Sequence, residues 1–199
     1  IPHFCSVSLV ESPMKETHKA VLKLAKKNHA IISFDPNIRL PLWSSAEACQ
    51  ETVREFLPDA DLVKLSDEEC FFVTGKHSIL DAADWLFEQG CKMVLYSMGK
   101  EGAMILTPHF SSHVENPEVR VKDTTGAGDA IIGAYLYCLA KNHITVSQLA
   151  DCLPEQVQEW LTFAVYYANY SITKSGAIAS YPNYTTFVKW MQEKRKKAH

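Results

Sequence analysis

The 199-residue sequence lacks the motifs that mark several common kinds of functional site. Its eight histidines include no HExxH pair, and none of its six cysteines belongs to a CxxC pair, so neither pattern predicts a zinc site. No Gly-Lys-Ser/Thr follows a glycine-rich loop, which argues against a P-loop. The net charge of −3 argues against general nucleic-acid binding, which favours a basic surface.

Long apolar runs and a recognisable secretory leader are also missing, so we expect no membrane partner. The cysteines stand in mostly apolar surroundings at positions 5, 49, 70, 91, 138 and 152, which predicts reduced, partly buried thiols and a cytoplasmic protein. The basic run at 189–199 is expected to be a solvated helix end. The sequence enters a strand-like run directly after Ile1, so we expect a partial form of a longer domain.

The order of apolar segments predicts an α/β fold. Hydrophobic residues make up 47% of the chain, which is typical of one globular domain, here residues 1–199. Alternating strands and helices predict a mostly parallel sheet with helices on both faces, and ligands then bind beyond the carboxyl ends of the strands. The expected strands are 3–10, 30–37, 60–66, 92–99, 102–108 and a short one ending near Lys122; the expected helices are 12–28, 46–57, 67–74, 78–89, 130–141, 155–174 and 184–196.

The stretch from Val121 to Ala140, VKDTTGAGDAIIGAYLYCLA, is the strongest candidate for chemistry. A glycine-rich turn before an apolar helix offers an anion unpaired N–H groups and the positive end of the helix dipole. Asp129 lies beside this anion site, where a carboxylate is electrostatically unfavourable. A role as the base that accepts a proton from an attacking hydroxyl would explain it. The alternative is an ordinary turn in which Asp129 is the helix N-cap. The glycines do not have the GxGxxG spacing of a dinucleotide site.

Polar residues also follow the second predicted strand, in FDPNIRLPLW. Arg39 has a planar fork that suits phosphate oxygens, and Asp35 and Asn37 suit sugar hydroxyls. The alternative is a proline-rich loop whose polar side chains bond the neighbouring backbone. From the residues alone, this second interpretation is slightly favoured.

Two further strand ends carry polar or glycine-rich sequences. In LVKLSDEE, one acid is a candidate for organising Mg²⁺ through water, while Ser66 and Glu69 have the spacing of a helix capping box. In YSMGKEGAMIL, the glycines predict a hairpin turn between two strands. Both sequences would lie at the same edge of the sheet as Asp129.

The run DTTGAGDA followed by an apolar helix resembles the C-terminal signature of the PfkB, or ribokinase-like, family of sugar kinases. FDPNIRLPLW is similar to the FDPNxRxxLW segment of fructokinases in that family. The resemblance extends from HFCSVSL to YPNYTTF and implies a three-layer αβα ribokinase-like fold, without the N-terminal part and β-lid that carry much of the sugar pocket. It further implies transfer of a phosphoryl group from ATP to a sugar hydroxyl, with fructose the first candidate.

The resemblance also implies roles for individual residues. Asp129 would be the catalytic base. Glu69 would organise Mg²⁺ through water, although Ser66 replaces the usual Asn of the family's N-x-x-E motif. The other implied roles are an anion hole at Gly126, Ala127, Gly128 and Asp129; sugar binding by Asp35, Asn37, Arg39 and Asp129; ATP binding by Lys64, Ser97, Gly99, Gly102, Gly126, Gly128, Ala168 and Ser171; and a monovalent cation such as K⁺ at Asp123, Thr125, Gly176 and Ser180.

Two alternatives to a fructokinase remain open on the sequence. Another member of the family would keep the fold and phosphorylate 2-keto-3-deoxygluconate, ribose or a nucleoside. A noncatalytic nucleotide-binding α/β module would keep the anion site without turnover. The expected partners are ATP and a sugar, and a homodimer is left open.

Overall fold

Six strands form one sheet in the structure, a computed structural model that describes residues 1–197 and the side chains through Lys196. The sheet order follows the chain, β1-β2-β3-β4-β5-β6. Neighbours from β1 to β4 are parallel, and β4, β5 and β6 are antiparallel. The strands are β1 (His3–Cys5), β2 (Ser33–Asp35), β3 (Leu62–Ser66), β4 (Met93–Ser97), β5 (Ala103–Leu106) and β6 (Ser111–Val114).

Helices cover both faces of this sheet. On one face of the sheet, a hydrophobic core forms under the four helices α1, α2, α3 and α4. On the other face, a second core forms under α5 and α6. The last helix, α7, packs on α6 through an aromatic cluster. The helices are α1 (Pro13–Lys27), α2 (Ala46–Phe56), α3 (Asp67–Thr74), α4 (Ile79–Glu88), α5 (Ala127–Lys141), α6 (Pro154–Ser171) and α7 (Tyr184–Lys197).

The central strands are apolar at successive positions because both of their faces are covered. In β4, Val94 belongs to the core under α1 to α4, whereas Met93 and Leu95 belong to the core under α5 and α6. All three are fully buried. This arrangement confirms the predicted α/β class, with a mostly parallel sheet between two helical layers.

The parallel strands end at one edge of the sheet, and serine side chains cap three of the helices. Ser66 closes β3 and caps α3 with a complete capping box involving Glu69. Ser45 and Ser78 cap α2 and α4 through their side chains. The helices therefore begin close to the positions that the sequence indicated, and the polar ends of β2, β3 and β4 face the same side.

Several predicted boundaries are wrong at the two ends of the sheet. The strand expected at 3–10 stops at Cys5, and Ser6–Leu9 forms a 3₁₀ turn whose Ser8 hydroxyl donates to the Cys5 carbonyl. The strand expected before Lys122 does not form. The Lys122 amide instead donates to the carbonyl of Ile172, and β6, which the sequence analysis missed, pairs with β5.

The bounds of two helices also differ from those predicted. Helix α5 begins at Ala127 rather than at 130, because Gly126 adopts a left-handed conformation with φ of 78° and serves as its N-cap. Asp129 therefore lies in the first turn and is not the N-cap. Helix α6 ends at Ser171 rather than at 174, so Gly176 lies in the loop beyond it.

All six cysteines are free, and five of them are buried, as the sequence predicted. Among the residues described, none of the helices combines the length and the apolar character that a membrane crossing requires. The basic C-terminal run lies in α7 as far as Lys197; its last two residues, 198 and 199, are outside the described part of the chain.

Candidate active site

Two adjoining cavities open where β2, β3 and β4 end and α5 begins. The first has a volume of about 620 Å³ and is lined by Asp35, Asn37, Arg39 and Asp129 among others. The second has a volume of about 550 Å³ and is bordered by the β4–β5 hairpin and α6. Six residues line both cavities, and we call them the shared wall: Lys64, Ser66, Glu68, Thr124, Ala127 and Gly128.

The N-terminus of α5 presents free backbone donors to these cavities. Within the described residues, the amides of Gly126, Gly128 and Asp129 have no hydrogen-bond acceptor, whereas the Ala127 amide donates to the Thr124 carbonyl at 3.1 Å. The predicted set of four anion-binding amides is therefore reduced to three. These three donors and the helix dipole make this end of α5 suitable for an anion.

The Asp129 side chain lies on the same first turn and is exposed. Its carboxylate makes no ion pair or hydrogen bond to any described residue. It lines the first cavity together with Arg39 and Asn37. The group predicted to be a base is thus available to a ligand rather than held by the protein.

The ammonium group of Lys64 is buried between two carboxylates. Its Nζ lies 3.2 Å from Asp35 Oδ2 and 3.7 Å from Glu69 Oε2. The side chain of Lys64 is 8% exposed and that of Asp35 only 3%. A Cβ added at Gly128 would lie 3.4 Å from the same Nζ, so the absence of a side chain lets the ammonium approach the first turn of α5.

Burial raises the pKa of Asp35 from 3.8 to about 6, against the opposing effect of the Lys64 charge. Asp35 Oδ1 also accepts a hydrogen bond from the Asn37 amide at 3.1 Å. Two carboxylates facing one ammonium give the cluster a formal charge of −1 when all three groups are ionised. Asp35 is consequently the member whose protonation relieves that imbalance.

Glu69 connects two loops of the first cavity. One carboxylate oxygen accepts from the Ile38 amide at 3.0 Å, and the other accepts from the amide and hydroxyl of Ser66 at 2.9 and 3.0 Å. The capping-box interpretation is therefore confirmed, and Glu69 additionally holds the segment that bears Arg39. The neighbouring Glu68 lines both cavities, and no ion pair or side-chain hydrogen bond to it occurs in the described residues.

The segment after β2 carries the other predicted sugar contacts. Asn37 has a left-handed backbone with φ of 43°, and its side chain is half-buried at the first cavity. Arg39 is exposed there, and its guanidinium donates to the Ile38 carbonyl at 2.9 Å. The predicted loop bonding is therefore present, and the guanidinium keeps further donors at the cavity, so the predicted ligand contact stays a prediction.

The second cavity contains most of the residues predicted to bind ATP. Ser97, Gly99, Gly102 and Ala168 line it together with Lys64 and Gly128. The predicted hairpin closes with the Met98 amide donating to the Gly102 carbonyl at 2.9 Å.

Ser171 does not belong to this cavity, which corrects its predicted ATP contact. It is 1% exposed, and its hydroxyl donates to the Ala168 carbonyl of its own helix. The next residue, Ile172, lines the cavity instead. The apolar side chain of Ile172 provides a surface for a ring but no hydrogen bond.

Sequence reasoning missed an amide pair in the second cavity. The Asn169 side chain donates to Asn116 Oδ1 at 2.7 Å, and Asn116 donates to the Gly99 carbonyl at 2.8 Å. Both residues line the cavity, and Asn169 Oδ1 has no hydrogen-bond donor among the described residues. No motif surrounds either asparagine, so only the buried polar position of Asn169 within the apolar helix α6 was available as a signal.

The segments predicted to hold a monovalent cation meet at the turn from Asp123 to Gly126, which leads into the candidate anion site of α5 and is called the anion-binding turn below. Asp123 accepts from the Gly176 amide at 2.8 Å and from the Thr125 amide at 2.9 Å, and these bonds lower its pKa to about 2. Ser180 is fully buried and donates to the Ala177 carbonyl. Among the described residues, no three His, Cys, Asp or Glu side chains converge as a metal site.

The chain matches the pfkB family of carbohydrate kinases over residues 2–184. It is 35% identical to the probable fructokinase-5 of Arabidopsis thaliana over 195 residues, which cover 98% of this chain and 59% of that protein. This chain therefore spans about six tenths of the length of that relative.

Solved structures of fructokinases have the same fold. The fructokinase of Vibrio cholerae O395 bound to fructose, ADP and calcium superposes with a TM-score of 0.83 at 30% identity, covering 95% of this chain and 59% of that one. The fructokinase of Xylella fastidiosa with bound ATP gives a TM-score of 0.88 at 27% identity, covering 96% and 61%. The predicted ribokinase-like fold is thereby confirmed.

Proposed function

Because the chain belongs to the pfkB family of carbohydrate kinases, we propose that it carries the phosphoryl-transfer site of an ATP-dependent sugar kinase. The observation that carries this proposal is the shared wall between two cavities. A kinase must hold donor and acceptor on either side of the group that moves. Here the second cavity would take the nucleotide, the first would take the sugar, and the N-terminus of α5 lies between them.

Asp129 would accept the proton of the attacking sugar hydroxyl while the hydroxyl oxygen forms its bond to phosphorus. Its exposed carboxylate has no competing partner in the described residues, so it is free to face the acceptor in the first cavity. The amides of Gly126, Gly128 and Asp129 would stabilise the charge of the transferring group. In other enzymes, removing one donor of this kind costs about 3–4 kcal/mol of transition-state stabilisation.

Arg39 would add positive charge on the acceptor side, whereas Lys64 would supply an ammonium donor whose charge is offset by Asp35 and Glu69. Lys64 reaches the first turn of α5 at Gly128, and Arg39 lines the first cavity. The buried pairing with Asp35 fixes the Lys64 ammonium in one position before any ligand arrives. Preorganised charge of this type requires little rearrangement during the reaction.

The donor set fits a Mg²⁺ ion brought by ATP. Mg²⁺ keeps several waters and uses one or two carboxylates, which matches the uncommitted Glu68 on the shared wall, with Glu69 acting through water behind it. The oxygens of Glu69 already accept protein donors, so it does not suit direct coordination. When bound, the ion would neutralise phosphate charge. The segments around Asp123 and Gly176 are the candidate for a K⁺ site.

Fructose is the proposed acceptor because the chain is similar to a probable fructokinase of Arabidopsis thaliana and to the Vibrio cholerae fructokinase solved with fructose and ADP. Other sugars of the family, including 2-keto-3-deoxygluconate, ribose and nucleosides, are the competing acceptors. The six free thiols favour a reducing compartment, which supports a cytoplasmic location as part of this proposal.

A substrate panel tests this function. Purified protein, both as this chain and as its complete coding sequence, is incubated with ATP, Mg²⁺ and each sugar in turn, and ADP release and the phosphorylated product are measured. We expect fructose 6-phosphate from the complete protein. If another sugar is phosphorylated and fructose is not, that sugar is the acceptor. If the protein binds an ATP analogue but phosphorylates no sugar, it is better described as a noncatalytic nucleotide-binding module.

A further inference from the structure

One tyrosine hydroxyl contacts the backbone of the anion-binding turn from behind. Tyr181 follows the 3₁₀ turn Ile178–Ser180, and its Oη donates to the Gly126 carbonyl at 2.9 Å. The same carbonyl accepts the first helical hydrogen bond of α5, from the Ala130 amide at 2.8 Å. Two donors therefore hold the carbonyl that fixes where the helix begins.

The contact is close enough to constrain the turn. Gly126 has a φ of 78°, and a Cβ placed there would lie 2.7 Å from Tyr181 Oη and 2.8 Å from Ala177 Cβ. The loop that carries Tyr181 is attached at a second point, where the Gly176 amide donates to Asp123. The turn from Asp123 to Gly126 is thus held by the loop at both of its ends.

Tyr181 is also near the reacting end of α5. It lines an apolar cavity of about 310 Å³ together with Asp129. Burial raises the pKa of the Tyr181 phenol, and the negative charge of Asp129 raises it further, so the hydroxyl remains a proton donor at neutral pH. No sequence motif drew attention to this residue.

We propose that Tyr181 is a positioning residue: its hydroxyl holds the Gly126 carbonyl so that the free amides at the start of α5 point at the transferring phosphoryl group. This inference rests on the proposed function. The carbonyl of Gly126 sets the peptide orientation from which the Gly128 and Asp129 amides follow. Without the hydroxyl, the turn keeps its helical bond to Ala130 but loses its second anchor.

Tyr167 provides a matched control. Its ring centroid lies 6.1 Å from that of Tyr181, and both rings line the same cavity, but the Tyr167 hydroxyl donates to the Pro182 carbonyl at 3.3 Å rather than to Gly126. Tyr181→Phe and Tyr167→Phe each remove one hydroxyl from the same aromatic cluster. Only the first should affect anion binding.

The experiment titrates inorganic pyrophosphate into the isotopically labelled chain and follows the amide signals of Gly126, Gly128 and Asp129. Loss of one hydrogen bond should raise the dissociation constant of Tyr181→Phe about 3- to 10-fold. Hydrogen exchange of the Ala130 amide should accelerate by a similar factor of about 3 to 10, because its acceptor is less firmly held. Tyr167→Phe should stay within about twofold of the wild type in both measurements, and thermal unfolding checks that both variants fold.

Each outcome decides between the alternatives. Weaker pyrophosphate binding in Tyr181→Phe alone supports the positioning role. Equal binding by Tyr181→Phe and the wild type overturns it, and so does equal weakening by the two variants, which would indicate a general effect on packing. A wild-type chain that binds no pyrophosphate contradicts the proposed function itself, and the inference with it.

Discussion

Replacing Lys64 by Met should destabilise the protein at neutral pH and destabilise it much less in acid. The substitution keeps an unbranched side chain but removes the ammonium between Asp35 and Glu69, which are 2% and 8% exposed. Two buried carboxylates would then face each other without a cation. Such an arrangement is strongly unfavourable unless one of them takes up a proton.

The structure gives the size of the effect. With Lys64 present, the pKa of Asp35 is already about 6 rather than 3.8, and at about 1.4 kcal/mol per pH unit this difference corresponds to about 3 kcal/mol disfavouring the ionised form in the folded state. The Lys64 charge opposes that shift, so its removal raises the pKa further. Breaking a buried pair by removing one partner costs about 3–5 kcal/mol, and we expect about 3 kcal/mol at pH 7.5 because Glu69 keeps its other donors.

The sign of the pH dependence follows from the raised pKa of Asp35. A carboxyl whose folded-state pKa exceeds its unfolded value binds more protons in the folded state between those two values, so stability falls as the pH rises through that window. In Lys64→Met the window begins at the same unfolded value, 3.8, and extends above about 6. The loss of unfolding free energy of Lys64→Met relative to the wild type should therefore be smaller at pH 5 than at pH 7.5.

Urea denaturation at pH 7.5 and pH 5 measures the loss of unfolding free energy and its pH dependence. The proteins compared are the wild type, Lys64→Met, Asp35→Asn and the double variant. The double variant removes the cation and one of its carboxylates together, so it should be more stable at pH 7.5 than the sum of the single changes predicts, by at least about 1–2 kcal/mol. If Lys64→Met loses less than about 1 kcal/mol of unfolding free energy, equally at both pH values, Lys64 behaves as a surface ion pair and not as the buried partner of two carboxylates.

Two further substitutions test the turn and the loop that frame the site. Gly126→Ala should lower the free energy of unfolding by about 1–3 kcal/mol, because φ is 78° and the new Cβ would crowd its neighbours. Gly133→Ala, in open space within α5, should be neutral or stabilising by up to about 1 kcal/mol. Urea titration compares the two variants, and equal effects would contradict the role of the turn geometry. Glu69→Gln should cost about 1–3 kcal/mol in the same assay, since its NH₂ must face either the Ile38 or the Ser66 amide, both donors. An unchanged midpoint would show that those two bonds do not hold the loop.

The sequence was most informative where local chemistry determines structure. The helix α3 was predicted with the bounds that the structure has, and Ser66 and Glu69 complete the predicted capping box at its start. In the structure, Gly75 adopts the left-handed conformation that ends the helix. The approach of Asp35 to Lys64 followed from topology, since β2 and β3 are parallel and end at one edge of the sheet. Gly128 also reaches that edge, although the strand predicted before it does not form.

Prediction failed where a distant partner decides the outcome. The segment before Lys122 alternates like a strand, but its backbone bonds Ile172 and the sheet edge is taken by β6. The contact of Tyr181 with Gly126 joins residues 55 positions apart, and that of Asn169 with Asn116 joins residues 53 apart. Nothing in the spacing of these residues indicates either pair, because both depend on how α6 and the loop after it pack.

In the proposed reaction, Asp129 deprotonates the acceptor hydroxyl while backbone amides at the start of α5 hold the phosphoryl group. Asp129→Asn in the complete protein tests this role through the rate of ATP-dependent sugar phosphorylation, with ADP affinity and unfolding measured in parallel. We expect a turnover number lowered by about 10²- to 10⁴-fold, with the fold and ADP affinity retained. A variant that turns over at a rate near that of the wild type would contradict it.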